Sequence, residues 1–280
     1  MLIKNEMLQR FQLRTSILYN KNIKITISFE NYMNKEWLKK VIKTQKESAY
    51  LQTWCENIGY DRYEKIYTII KDYTGNDRIN YAILKAVAKY DFCLSDMLHS
   101  MIKFIELRFR AFLTNEYGCI TITKDYYLYE ISNALSGGDK RLDCSTYYDR
   151  KLKDKTTLGE FLDASSMETL LRVFFLLPDE KLKKFDNDLS KLKSNLEKIK
   201  EMRNYVAHGQ LVIKNNKFNL KELIVLMLKY MPTKETKIKR VKELEKLNNR
   251  LFHKESQFPD ALFQSIAIVL TEKDKQIIGL

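Results

Sequence analysis

Along most of the chain apolar residues recur every three or four positions, with lysine and glutamate filling the intervals, which is the period of an amphipathic helix. From Asn34 this pattern sets Trp37, Val41 and Tyr50 on one side of a helix. A second helix covers 63–73 and closes at Thr74-Gly75-Asn76-Asp77, a stop and restart signal. The longest periodic segment is 78–117, where Leu94, Leu98, Met101, Ile105, Phe109 and Phe112 define one buried face. His99, Lys103, Glu106 and Arg110 repeat at the same spacing on the adjacent row, and Gly118 ends the helix. A further helix near 124–135 stops at Gly137-Gly138. The stretch "GGDKRLDCSTYYDRKLKDKTT" then reads as a mobile basic loop. Capping boxes at Thr157 with Glu160 and at Ser165 with Glu168 start two short helices before Pro178.

The next helix begins between Pro178 and Asp186 and runs to about Ala207. Strict alternation appears in only two places. "KNIKITISF" reads as a short strand or extended arm, and "QLVIKNNKFNL" as a small β-hairpin turning at Asn215-Asn216. Helices resume over 221–230, 234–255 and 260–272. The expectation is an all-α, mainly helical bundle with one small hairpin. It is divided into an N-terminal segment (1–80), a core (81–215) and C-terminal helices packing on that core (216–280).

Eight glycines and three prolines among 280 residues leave little material for turns, which agrees with long helices. Lysine and arginine number 49 against 36 aspartates and glutamates, a net charge of +13 that favours a polyanionic partner. Solvated surface lysine is the plainer account of the same surplus. Cys55, Cys93, Cys119 and Cys144 stand apart, with no Cys-x-x-Cys pair and no histidine at ligand spacing, so they are expected to be reduced, buried thiols rather than zinc ligands. The N-terminus lacks the apolar core of a signal peptide, and "VFFLLP" and "LIVLML" are too short to span a bilayer. The expected location is cytoplasmic, with no membrane partner. No Gly-rich phosphate loop or nucleophile elbow is present, which sets NTPases and serine hydrolases aside.

The densest chemistry lies in "EKIKEMRNYVAHGQLV", 197–212. On a helix Leu189, Leu192, Leu196, Ile199 and Val206 share a face, and Arg203 falls in its middle, while Glu197, Glu201, Asn204 and His208 form the flank. An unpaired buried guanidinium costs several kcal/mol, so Arg203 must meet a carboxylate, a phosphate or another subunit. Glu106, flanking the apolar face of the other long helix, is the carboxylate within bidentate reach if the helices pack face to face. That pairing is also the purely structural account of Arg203, and capping of the helix end is the structural account of His208. The chemical account is that imidazole moves protons near neutral pH while guanidinium holds a phosphate in a planar fork. Together they suit metal-independent cleavage of RNA with the ribose 2′-OH as internal nucleophile. Asn204, one turn before His208, can fix the ring or hydrogen-bond the scissile phosphate. Two chains facing each other would supply both an acid and a base.

"RNYVAHGQLV" resembles the Arg…His signature of the Abi-like family of phage abortive-infection proteins, within the HEPN superfamily of helical ribonucleases. Arg203, Asn204 and His208 fill the signature positions. "YDFCLSDMLHSMIKFIELRFRAFLTNEYG" is similar to the family's earlier long helix, with Asp91 and an element made by Ile105, Glu106 and Arg110. "TTLGEFL", 156–162, resembles its threonine-leucine-glycine turn. The resemblance spans about 85–212. Residues 1–80 do not match the family pattern. Ser95 and Asp96 stand where a basic residue is expected, and Gln210 stands where some members carry a modifiable tyrosine. The resemblance implies a HEPN-type bundle acting as a homodimer, with two Arg203/Asn204/His208 sets in one cleft. RNA would be cut without cofactor or metal to a 2′,3′-cyclic phosphate and a 5′-hydroxyl. Such a protein would serve phage defence or act as the toxin of a toxin–antitoxin pair, restrained by a structured non-coding antitoxin or guide RNA.

Other basic positions are RNA-binding candidates. In 234–254, Ile238, Val241, Leu244, Leu247 and Leu251 oppose Lys237, Arg240, Lys242, Lys246 and Arg250, which can track a phosphate backbone or simply be solvated. In the basic loop Lys140, Arg141, Tyr147, Tyr148, Arg150 and Lys151 interleave cations with stacking aromatics. His99 shares the row of Glu106 and Arg110 and is a candidate helper in the same cleft. The alternative to an enzyme is a non-catalytic RNA-binding helical scaffold in which Arg203 and His208 only build the fold.

Overall fold

The computed structural model describes residues 36–140, 142, 154–214, 219–253 and 259–280. The chain divides into two units, Met1–Val41 and Ile42–Leu280. The described part of the smaller unit is α1 (Glu36–Lys40), in which Trp37 is buried, followed by Val41 of β1 (Val41–Ile42). "KNIKITISF" lies outside the described residues.

The larger unit opens with α2 (Gln45–Ile58). Thr44 caps it: its hydroxyl accepts from the Glu47 N–H at 3.3 Å, and the Glu47 carboxylate accepts from the Thr44 N–H at 2.7 Å. That cap divides what the pattern predicts as one helix from Asn34, and Tyr50, expected on the inner side, is half exposed. There follow α3 (Tyr60–Thr74), β2 (Ile79–Asn80) and α4 (Tyr81–Tyr117). After α4 come β3 (Thr121–Thr123), α5 (Tyr127–Ser136), β4 (Lys155–Thr157), α6 (Leu158–Ala164), α7 (Met167–Phe174), α8 (Asp179–Leu182) and α9 (Leu189–Ala207). A 3₁₀ turn at Val212–Lys214 precedes α10 (Leu220–Tyr230), α11 (Lys234–His253), α12 (Asp260–Ile266) and α13 (Glu272–Ile277). The described chain is mainly helical, as the pattern predicts.

α4 is the axis of this unit. Its 37 residues make a rod of about 55 Å at 1.5 Å per residue. α3, α6, α7, α9, α10 and α11 all pack on it. Being enclosed from several sides explains why its buried surface is wider than one stripe: Met97 and Leu98, and likewise Met101 and Ile102, are adjacent and both buried. At its C-terminal end Phe109 meets Phe174 and Phe185 at ring-centroid distances of 4.6 and 5.1 Å.

β3 and β4 pair antiparallel, with Thr121 opposite Thr157 and Thr123 opposite Lys155. The ladder continues as Leu158 N–H donates to Ile120 O at 2.8 Å and Gly159 N–H to Gly118 O at 3.1 Å. Gly159 allows this approach, since a Cβ there would stand 3.3 Å from the Gly118 carbonyl oxygen. The Thr157–Glu160 capping box forms. The box expected at Ser165 does not: Ser166 is the cap of α7, because buried Ser165 turns its hydroxyl back to the Phe161 carbonyl at 2.7 Å and ends α6.

Other boundaries differ for equally local reasons. α9 starts only at Leu189, where the Asp188 carboxylate accepts the Lys191 N–H at 3.0 Å. Of the helix expected over 260–272 only Asp260–Ile266 forms: the chain leaves the helix at Ala267, and Thr271 then caps α13 in a box with Asp274. Nor does the first arm of the expected hairpin form a strand. The N–H of Ile213 is taken by the Asp91 carboxylate at 3.0 Å, and the chain curls into the 3₁₀ turn. The turn at Asn215-Asn216 lies outside the described residues, and Asn219 is already the cap of α10. Cys55 is buried and Cys93 partly so, but Cys119 is exposed, against expectation. Cys144 lies outside the described residues.

Candidate functional site

The inward stripe of α9 is Leu192, Leu196, Ile199, Met202 and Val206. Met202 completes the three-residue step from Ile199 and the four-residue step to Val206, so a thioether takes the central slot assigned to Arg203 from the sequence. Arg203 is displaced to the edge, with its side chain 41% exposed. There its Nε lies 3.9 Å from Oε1 of Glu106, a single loose contact instead of a bidentate fork. Its Nη1 donates to Asn204 Oδ1 at 3.3 Å. The guanidinium therefore retains faces turned to solvent.

His208 is the last residue before α9 reverses. Gly209 N–H donates to Val206 O at 3.0 Å and Gln210 N–H to Tyr205 O at 3.3 Å, with Gly209 at φ 65°. This pair of bonds is a Schellman termination, and the left-handed position explains the glycine. The backbone of His208 is held by its N–H to Asn204 O at 3.0 Å, while the residue is exposed. Among the described residues no hydrogen bond or ion pair engages the His208 ring. The flank formed by Glu201, Asn204 and His208 faces solvent, and Glu197 is half-buried.

A second tie lies beyond the turn. Asp91 of α4, wholly buried, accepts from Arg62 Nη2 of α3 at 2.5 Å and from the Ile213 N–H. Arg62 Nη1 donates to the Gly209 carbonyl. Burial pushes the Asp91 carboxyl up, against the pull of Arg62 and of the Ile213 and Val212 N–H groups. Tyr205 adds a bond from its hydroxyl to Leu211 O at 2.9 Å. With Glu106 meeting Arg203 and Asp91 meeting Ile213, α4 and α9 run antiparallel. His99, exposed on α4, and His208, at the end of α9, both fall between those two ties. Arg110 does not join them: its guanidinium donates to Ser165 O at 2.6 Å, at the junction of α6 and α7.

Among the RNA-binding candidates the structure separates free from committed cations. Lys140 donates to Leu177 O at 2.8 Å and faces Asp179 at 3.4 Å. Lys237 donates to Ile278 O at 2.8 Å, and burial pulls its ammonium down. Arg240 is 13% exposed, bonded to Ser100 Oγ and Glu243 and laid over the Phe104 ring at 5.5 Å. Lys246 and Arg250 are exposed, and Lys239 and Lys242 extend the same outer row of α11. Arg141, Tyr147, Tyr148, Arg150 and Lys151 lie outside the described residues.

Arg62 and Tyr205 carried no signal in the sequence, since Arg62 is 147 residues from the carbonyl it holds. Only the acidic Asp91, quoted for the resemblance, pointed toward this tie. Among the described residues no group of three His, Cys, Asp or Glu side chains could hold a metal ion, and no helix is long and apolar enough to cross a membrane. Fold and site together define a mainly helical protein with an Arg–Asn–His cluster at a helix terminus. No protein-family model matches the chain, and neither does a curated protein or a solved structure.

Proposed function

We propose that the protein is a metal-independent endoribonuclease of the HEPN type, serving phage abortive infection or a toxin–antitoxin pair. In this reading two chains bring their Arg203, Asn204 and His208 sets into one cleft. One His208 accepts the proton of the ribose 2′-OH as its oxygen attacks phosphorus. The other protonates the departing 5′-oxygen, while Arg203 stabilises charge on the phosphoryl oxygens. The products are a 2′,3′-cyclic phosphate and a 5′-hydroxyl, and a structured RNA partner restrains the enzyme.

The observation that supports the reading is the contrast between backbone and side chain at 203–208. The helix end is closely bonded, yet among the described residues nothing engages the His208 ring, and Arg203 is held only loosely, at 3.9 Å from Glu106. A purely structural arginine and histidine would be expected to show the opposite. The test is His208→Ala and Arg203→Ala in the full chain, with cleavage of a labelled RNA and the product ends as readouts. Loss of at least about a hundredfold in kcat with unchanged helix content is expected. Unchanged cleavage, or none by the wild type, leaves the scaffold reading.

A further inference from the structure

Arg62 and Asp91 make three connections among three pieces of chain. The two side chains pair at 2.5 Å, Arg62 holds the Gly209 carbonyl, and Asp91 holds the Ile213 N–H. Asp91 is wholly buried and the Arg62 side chain is 20% exposed. A buried ion pair is a poor source of stability, because desolvation opposes the attraction and apolar side chains of similar size would join α3 to α4 at least as well. What a guanidinium and a carboxylate supply instead is direction. Each binds backbone at a fixed angle, one on either side of the reversal that follows His208. Gly209, whose carbonyl is gripped, is the neighbour of the exposed histidine.

We infer that Arg62 and Asp91 are positioning residues for His208, a clamp that sets where its ring stands by fixing the backbone just beyond it. The inference rests on the ribonuclease reading for its consequence in catalysis, but its geometry can be tested without activity. The helix alone does not determine the site: a Schellman turn ends α9, and the chain beyond is free to leave at several angles unless Gly209 and Ile213 are held. Misplacement of a reacting group by about 1 Å can cost about a hundredfold in rate. A clamp one residue from His208 has that leverage without touching substrate.

Arg62→Lys keeps a cation beside Asp91 but removes the planar fork that reaches Gly209 at the same time. With three histidines in the chain, the ring resonance of His208 is assigned by its absence in His208→Ala. In folded Arg62→Lys that resonance is expected to shift or broaden while those of His99 and His253 stay. Where the wild type cleaves RNA, kcat is expected to fall at least about tenfold with KM nearly constant. An unmoved His208 resonance, or a wild-type kcat in a folded variant, overturns the clamp. Should the variant not fold, hydrogen exchange of the wild-type chain decides: slow exchange at the Ile213 N–H is expected, and exchange as fast as in an open loop overturns it. A wild type that cuts no RNA but shows the shifted resonance sinks the enzyme and keeps the clamp.

Discussion

At the scale of single residues, backbone geometry is more exacting around 203–213 than side-chain chemistry. Gly209 at φ 65° has nothing within 4 Å of where a Cβ would stand. Gly209→Ala therefore meets conformational strain and no clash, and is expected to cost about 1 kcal/mol in urea unfolding. Gly209→Asn should lose less, since asparagine tolerates the left-handed region. If alanine there is neutral, the reversal after His208 is not the Schellman turn described. The same region shows what a sequence can disclose at this scale. Arg203, Asn204 and His208 stand out because helix spacing puts them near one another, whereas Arg62 meets Gly209 only through tertiary packing. Arg203 stands one slot from where the sequence puts it, because a wheel drawn through Leu189, Leu192, Leu196, Ile199 and Val206 leaves out Met202.

At the scale of elements, helices were legible wherever the three-to-four spacing was long, as in α4, where Leu94, Leu98, Met101, Ile105 and Phe109 are buried as the pattern requires, while Phe112, expected on the same face, is only half-buried and Leu113 takes the inner place. Boundaries were legible where a capping box was unambiguous, as at Thr157. They were missed where two serines compete, at 165 and 166, or where the chain leaves a helix, as at Ala267, before a new cap such as Thr271 starts the next. The hairpin failed because alternation reports which residues face inward, and not whether strand partners or a buried carboxylate will take the N–H groups. Thr271 also leads to a test. Asp274, its partner in the cap, is held at about 2, first by the Lys221 ammonium at 2.8 Å and then by the Thr271 N–H and hydroxyl. A free aspartate titrates near 3.9. Because the folded value is depressed, the stability this group contributes is present above about pH 4 and is lost as pH falls through about 2. Asp274→Asn should lower the melting temperature at pH 7, and its curve should converge on the wild type between about pH 4 and 2. A difference that stays constant across that window would separate Asp274 from the tie between α10 and α13. Asp91 has the opposite sign: its folded value is raised, so its contribution is present below about 3.9, the unfolded value, and is lost as pH rises from there through the raised folded value.

At the scale of the molecule, part of the charge of +13 forms a continuous exposed row on α11 once the committed cations of that helix are set aside. Arg240 and Lys237 are spent on packing α11 against Ser100, Phe104 and the chain end at Ile278. Lys239, Lys242, Lys246 and Arg250 remain, on the face of α11 opposite the buried Val241, Leu244 and Leu251. The row extends over about 16 Å at the helical rise, enough to follow several phosphates of a single strand. If RNA lies along it, binding must weaken with salt as counterions return. Each neutralised phosphate contributes about −0.7 to the slope of log affinity against log salt for single strands. Replacing all four by glutamine is expected to reduce that slope by about 3, and replacing Lys237 and Arg240 to change stability more than slope. Salt titration of a fluorescent single-stranded RNA distinguishes these outcomes. Equal slopes for wild type and quadruple variant would remove α11 from the RNA path and leave its lysines as solvated surface. The charge that drives binding would then have to lie elsewhere on the chain.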